Sequence, residues 1–204
     1  MAEGTARVEA FSDGVFAIAI TLLILEIHAP DAGAVGGLWA GLVALWPSYV
    51  AFLLSFFVVL IMWVNHHELM RLVRVVTYPL LFANGVLLLT VTFVPFPTAV
   101  LARHLATAEA RVAVAFYCGT FVVNSLAWGL VFSTMVRGRL FHAGVDARTI
   151  ERVRRAYLMG PLVYLAATLI ALVRPLLGLA LNASLWLLWM RLGYREAAER
   201  PTSL

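Results

Sequence analysis

Arg7-Val8-Glu9-Ala10-Phe11-Ser12-Asp13 opens on charge, and the chain then runs without a charged residue from Gly14 to Leu25. An apolar run entered by a carboxylate in this way reads as a helix crossing a bilayer, since about 20 mostly apolar residues span the hydrocarbon layer. The carboxylate is the informative part. An ionisable side chain inside a transmembrane helix is rare and turns toward protein or water rather than lipid, so Asp13 marks a site rather than a surface.

The rest of the chain suits the same solvent. Of 204 residues, 63% are hydrophobic and 13% charged, too apolar for an ordinary soluble domain. Six stretches have the length and composition of spans: about residues 6–27, 39–64, 77–100, 111–135, 156–173 and 175–190. They predict an all-α integral membrane protein, one six-helix domain over residues 1–204 with no soluble domain and no internal repeat. Pro175 fits the first turn of the last helix, where its missing N–H costs nothing, so residues 174–175 read as a tight turn. Val94-Pro95-Phe96-Pro97-Thr98 reads as the end of the third helix, and residues 137–155 as an arginine-rich loop.

Every Lys-or-Arg position is arginine. With a cytoplasmic N-terminus, the inside segments hold Arg7, Arg71, Arg74, Arg137, Arg139, Arg148, Arg152, Arg154, Arg155, Arg191, Arg195 and Arg200, leaving Arg103, Arg111 and Arg174 outside. That bias in short loops predicts six spans with both termini cytoplasmic, in a multi-pass protein of the cell membrane. The net charge of +4 then reflects topology and contact with anionic lipid, and calls for no nucleic-acid partner. A cleaved signal peptide is the competing reading of the first run, with Ala32-Gly33-Ala34 as its cleavage site; the acidic leader of Glu3, Glu9 and Asp13 argues against it. Cys118 is the single cysteine and reads as a buried packing thiol.

At 100° per residue, with Ile18 at zero, Leu22 lies near 40°, Leu25 near −20° and Thr21 near −60°. These four share a face. Asp13 lies about 140° away and Ser12 about 120° away, pointing toward neighbouring helices. By periodicity alone the stripe serves equally as a lipid-facing or a packing face. Several copies around an axis would instead make a narrow apolar neck, which stops ions by dewetting. The Thr21 hydroxyl could add oxygen ligands to it. No Thr-Val-Gly-Tyr-Gly carbonyl filter occurs, so any selectivity must come from side chains.

Trp63-Val64-Asn65-His66-His67-Glu68 lies at the end of the second span, at the membrane depth of Asp13. A buried Asp13 paired with Arg7, Ser12, a histidine or the Trp63 indole would be satisfied, and the group would act as a polar lock between helices. A histidine that senses protons is the intermediate reading. A metal site is not expected: His66 and His67 point to different faces, and His67-Glu68-Leu69-Met70-Arg71 is not His-Glu-x-x-His. The third span contributes Asn84, while Asn124, Ser125, Asn182 and Ser184 in the second half read as interhelical hydrogen-bond partners. Trp39, Trp46, Trp186 and Trp189 read as interface anchors and packing.

Arg7-x-x-x-Phe11-Ser12-Asp13, the Trp63-x-x-His66-His67 run and Pro95-Phe96-Pro97-Thr98 together resemble the transmembrane protein 175 family of potassium channels, over residues 7–98. The resemblance implies a prokaryotic-type chain with one six-helix repeat, assembled as a homotetramer. It implies a modest preference for potassium over sodium, and a pore lined by the first helix. Ile18, Leu22 and Leu25 fall at the constriction and Thr21 at the selectivity position, with Arg7, Phe11, Ser12, Asp13, Trp63 and His67 as the interhelical motif. Potassium ions and membrane lipid are the implied partners, with no cofactor.

The main rival is a proton-coupled secondary transporter that uses Asp13 and the helix-two histidines as a relay. Such folds show paired halves and broken helices near the midplane, which this sequence lacks. An enzyme is not expected, because no Gly-x-Ser-x-Gly, His-Glu-x-x-His or paired intramembrane carboxylate is present. On sequence alone, Asp13→Asn separates lock from relay, disrupting assembly in the first case and leaving a folded, inactive protein in the second.

Overall fold

A computed structural model of the chain describes residues 2–31 and 36–198, with side chains described except at 2–3, 186–188 and 190–198. Helix α1 (Ala2–Leu22) tightens into a 3-10 turn at Leu23–Glu26, and a short α2 (Gly37–Ala44) precedes α3 (Trp46–Met70). Then come α4 (Tyr78–Thr92), α5 (Pro95–His104), α6 (Ala110–Arg137), α7 (Ala147–Val173) and α8 (Pro175–Ala198). Five segments are long and apolar enough to cross a membrane: Gly4–Glu26, Trp46–Met70, Tyr78–His104, Ala110–Arg137 and Ala147–Val173, with Pro175–Leu185 as a shorter apolar helix. The chain is an all-helical, multi-pass membrane protein. Ala32-Gly33-Ala34, Arg200 and the side chains of Trp186, Arg191 and Arg195 lie outside the described residues.

The helix bounds differ from the sequence reading mainly at prolines. The second span does not begin near residue 39: a break at Leu45 separates α2 from α3, and Pro47 sits in the first turn of α3, where an N–H is not needed. The span therefore shifts C-terminally and carries the Trp63–Glu68 cluster inside helix rather than past its end. Pro95 and Pro97 do not end the third span either. Pro95 starts α5, and the turn at Phe93 and Val94 keeps its backbone bonds, with Phe96 N–H reaching Phe93 O at 3.1 Å and Thr98 N–H reaching Val94 O at 3.2 Å. The arginine-rich stretch is largely helix: α7 begins at Ala147, nine residues before the expected 156, because Asp146 caps it by accepting from Arg148 N–H at 3.2 Å.

Helix α6 is the spine, packing on α4, α5, α7 and α8 and burying Val114, Tyr117, Cys118, Phe121, Val131 and Met135. Lipid tails are as apolar as leucine, so the outward Leu and Phe side chains lose nothing by exposure. Close packing and interhelical hydrogen bonds hold the helices together instead. Close packing is plainest at Gly178 of α8, where an added Cβ would lie 2.6 Å from Ala171 Cβ and 2.7 Å from Ala167 O. Hydrogen bonding is plainest at Ser55, whose Oγ lies 2.6 Å from Thr98 Oγ1 and 3.1 Å from Tyr117 OH, joining α3, α5 and α6. Thr98 donates its own proton to Val94 O at 2.8 Å, so the order runs Tyr117 to Ser55 to Thr98 to backbone.

The loops fall at two ends. Residues 71–77 and 138–146 meet through Arg74 N–H to Leu140 O at 2.7 Å and His142 N–H to Leu72 O at 3.0 Å. The start of α1 lies at that same end, since Glu9 contacts His67 near the end of α3. This places Arg7, Arg71, Arg74, Arg137 and Arg139 together, and Arg103, Arg111 and Arg174 at the other end, the grouping on which the arginine count rests.

Candidate ion pathway and its supporting network

Helix α1 has two unlike sides. Phe16 and Ala19, packed toward α3 and α4, and Leu23 of the following turn, packed toward α3 and α5, are at most 1% exposed, whereas Ile18 is 59%, Leu22 42% and Leu25 65% exposed. The outward stripe is continuous. Leu25 lies in the 3-10 turn, where 120° per residue puts it about 40° from Ile18, above Leu22 and still on the stripe. Thr21 is exposed beside it, and its hydroxyl donates to Ile18 O at 2.9 Å. The proton is thus directed into the backbone and the oxygen lone pairs remain for an outside ligand.

Behind the stripe, polar side chains of α1 reach two other helices. Ser12, fully buried, donates to Val8 O at 2.8 Å and accepts from Asn84 Nδ2 of α4 at 3.0 Å. Asn84 Oδ1 lies 2.9 Å from His66 Nε2 of α3. With Asn84 Nδ2 turned to Ser12, its oxygen must accept, so His66 carries its proton on Nε2. The other ring nitrogen, Nδ1, is buried with no partner among the described residues. Phe16 and Trp128 flank that ring at centroid distances of 5.4 and 6.2 Å.

A second polar layer joins α1 to α3 alone. Trp63 Nε1–H donates to Asp13 Oδ1 at 2.8 Å, and His67 Nδ1 contacts Glu9 Oε1. Of the six residues assigned to the interhelical motif, Ser12, Asp13, Trp63 and His67 make contacts between α1 and its neighbours. Arg7 and Phe11 do not. Phe11 is 68% exposed, and Arg7 is exposed with no hydrogen bond or ion pair among the described residues. Both line an open groove with Leu81 and Gly85 of α4. Helical geometry explains the split: Ser12 faces inward with Phe16, and a 100° step carries Phe11 away from that face.

Sequence reasoning missed three members of this network in their roles: Glu9 as the partner of His67, and Asn84 with His66 as the central link. The signal for Asn84 lay in its row, since Leu80, Ala83, Leu87, Leu88 and Val91 around it are all buried. A polar residue on a buried row needs a partner on the helix it faces. Among the described residues no group of three or more His, Cys, Asp or Glu is placed to hold a metal ion.

The geometry also revises the meaning of Asp13→Asn. An asparagine keeps an acceptor oxygen for the Trp63 indole, so we expect this variant to fold and assemble like wild type. Trp63→Phe, which removes the donor, should lower stability by about 1 kcal/mol, as interhelical hydrogen bonds in membranes typically do. Thermal unfolding in detergent, followed by gel filtration, checks the pair. Equal losses in both variants would show that the Asp13 charge, not the hydrogen bond, is what α3 recognises.

The arrangement has known counterparts. The family described as endosomal/lysosomal potassium channel TMEM175 matches residues 7–95, the part holding the α1 stripe and both polar layers. A potassium channel of Chamaesiphon minutus is 46% identical over 166 residues, covering 80% of this chain and 82% of that one. A potassium channel of Streptomyces collinus is 46% identical over 181 residues, covering 88% of each. In three dimensions the chain is similar to the crystal structure of a lysosomal potassium-selective channel TMEM175 homologue from Chamaesiphon minutus. That likeness has a TM-score of 0.85 at 39% identity, over 94% of this chain and 98% of that one. With sequence and fold in agreement over most of its length, the chain belongs to the TMEM175 family.

Proposed function

We propose that the chain is the subunit of a potassium channel of the cell membrane, a homotetramer in which α1 of each copy lines a central pore. Its relatives are ion channels, not enzymes. Six spans with both termini cytoplasmic fit the distribution of arginines between the two ends. Ile18, Leu22 and Leu25 form the hydrophobic neck, and Thr21 contributes oxygens beside it. The observation that carries this reading is the two-sided α1. Its inner side is packed and hydrogen-bonded to α3 and α4, while the stripe on its outer side is left open.

An apolar neck blocks ions when it is too narrow to stay wet. Slight widening admits a partly dehydrated ion, and potassium sheds water at lower cost than sodium, so the preference is modest. Ser12, Asp13, Trp63 and His67 act as the structural motif that sets the position of α1, whereas Arg7 and Phe11 stand on its open side. The test is ion flux into liposomes carrying the purified protein. Potassium flux should exceed sodium flux, and the complex should run as four chains. A folded protein with no passive flux of either ion would overturn the channel reading and point to coupled transport through Asp13 and the histidines.

A further inference from the structure

The outward surface where the end of α4 meets α6 carries a groove of about 590 Å³, with Leu89, Phe93, Ala115, Phe116, Thr120 and Val123 among its lining residues. It lies on different helices from the α1 stripe. Its chemistry is almost wholly apolar, because the two hydroxyls in its wall have their protons committed to backbone. Thr90 donates to Leu87 O at 2.7 Å, and Thr120 donates to Phe116 O at 3.0 Å. At one end Phe93, Phe96 and Phe116 pack against one another, with centroid separations of 5.5, 5.7 and 6.5 Å.

Charge stands beyond those rings. Arg111 precedes Ala115 by four residues, which puts it on the same face of α6 one turn nearer the membrane boundary. Arg103 follows Phe96 by seven residues, two turns along the same face of α5. Both arginines are exposed and neither makes an ion pair or hydrogen bond among the described residues. The other titratable groups of this turn, His104 and Glu109, are also exposed, and Glu109 forms no ion pair with either arginine. These are two of the three arginines that the topology leaves at this end, so their presence runs against the general bias of the chain.

We propose that this groove seats an acyl chain of an anionic glycerophospholipid whose phosphate is held by Arg103 and Arg111. Guanidinium groups suit phosphate oxygens through paired, charge-assisted hydrogen bonds, and arginine stems reach from the apolar wall to headgroup depth. The wall offers no donor to a polar ligand, and at the mouth the two arginines outnumber the single carboxylate, Glu109.

The test uses the full-length protein in nanodiscs of phosphatidylcholine with a minor fraction of phosphatidylglycerol, released intact for mass measurement. Wild type should retain phosphatidylglycerol above its share of the disc. Arg103→Gln with Arg111→Gln should lower that retention, by about fivefold per arginine. Leu89→Trp, which fills the groove from a side chain 68% exposed, should also lower it, whereas Leu53→Trp, at a position 50% exposed on α3, should not. All four positions are outward, so each variant should elute as wild type does. Retention indifferent to both the arginine pair and Leu89→Trp would overturn the proposal. So would a change in subunit number caused by Leu89→Trp in a protein that retains no lipid, which would assign the groove to a second copy of the chain.

Discussion

Ile18→Asn is expected to raise potassium flux at least tenfold and to bring sodium flux close to it. In the proposed assembly each copy contributes one Ile18, so a single substitution replaces a whole ring of apolar side chains with amides. Water in contact with a ring of isoleucines loses hydrogen bonds and leaves a narrow neck, and the ion then meets a dewetted barrier. An amide offers both a donor and an acceptor, so the neck stays wet. Lowering the barrier by about 1.4 kcal/mol gives about a tenfold gain in rate. That is less than the transfer free energy of about 1.5–3 kcal/mol for one such side chain.

Selectivity should fall in the same experiment, since a wet neck no longer asks an ion to shed water. Stability should change little, because Ile18 is 59% exposed in the folded chain and holds no other helix in place. Flux of both ions into liposomes, wild type against variant, reads both effects. If the variant conducts no better than wild type while eluting identically, Ile18 does not form the barrier. The same measurement on Phe16→Asn serves as contrast: Phe16 is 1% exposed on the opposite side of α1, and its loss should unfold the protein rather than open it.

The α1 stripe was legible because a helix obeys one period, and Ile18, Thr21, Leu22 and Leu25 could be placed on one face by arithmetic alone. The partners of the opposite face were legible only in part: the Trp63 indole was among those offered for Asp13, but nothing in the local pattern of α1 says which residue of α3 or α4 will lie opposite Ser12. Ser12 reaches Asn84 across 72 positions of sequence, and Asp13 reaches Trp63 across 50. Proline was the other source of error. Pro95 and Pro97 have the chemistry of helix terminators, but the third span continues through them because Pro95 falls in a first turn and the bonds at Phe93 and Val94 are kept. Arg7 and Phe11 share a motif with Ser12 and Asp13, yet a motif groups residues by sequence, and a helix distributes them around its circumference.

Asn84→Leu should be the most destabilising conservative change in the α1 network. Leucine has the heavy-atom count and branching of asparagine, so the main change is loss of the hydrogen bonds, with the bulkier methyl groups adding to the cost at this buried site. Two losses follow. Ser12 loses the donor from Asn84, although its own proton still reaches Val8 O. His66 loses the acceptor for Nε2–H while its other nitrogen already has no partner among the described residues, leaving a buried imidazole with no hydrogen bond at all. A buried donor left unpaired costs about 1–3 kcal/mol, more than an average interhelical hydrogen bond contributes. Removing both partners should therefore cost less than removing one: His66→Phe with Asn84→Leu places an apolar ring beside Phe16 and Trp128, which already flank the site. Thermal unfolding in detergent should rank wild type first, the double variant next and Asn84→Leu last. If the double variant is instead the sum of its two single variants, Asn84 and His66 are not coupled and the link does not hold α1 in place. If the order is as expected, flux measured on the same samples tells whether the position of α1 sets the neck, because Asn84→Leu leaves every residue of the stripe unchanged.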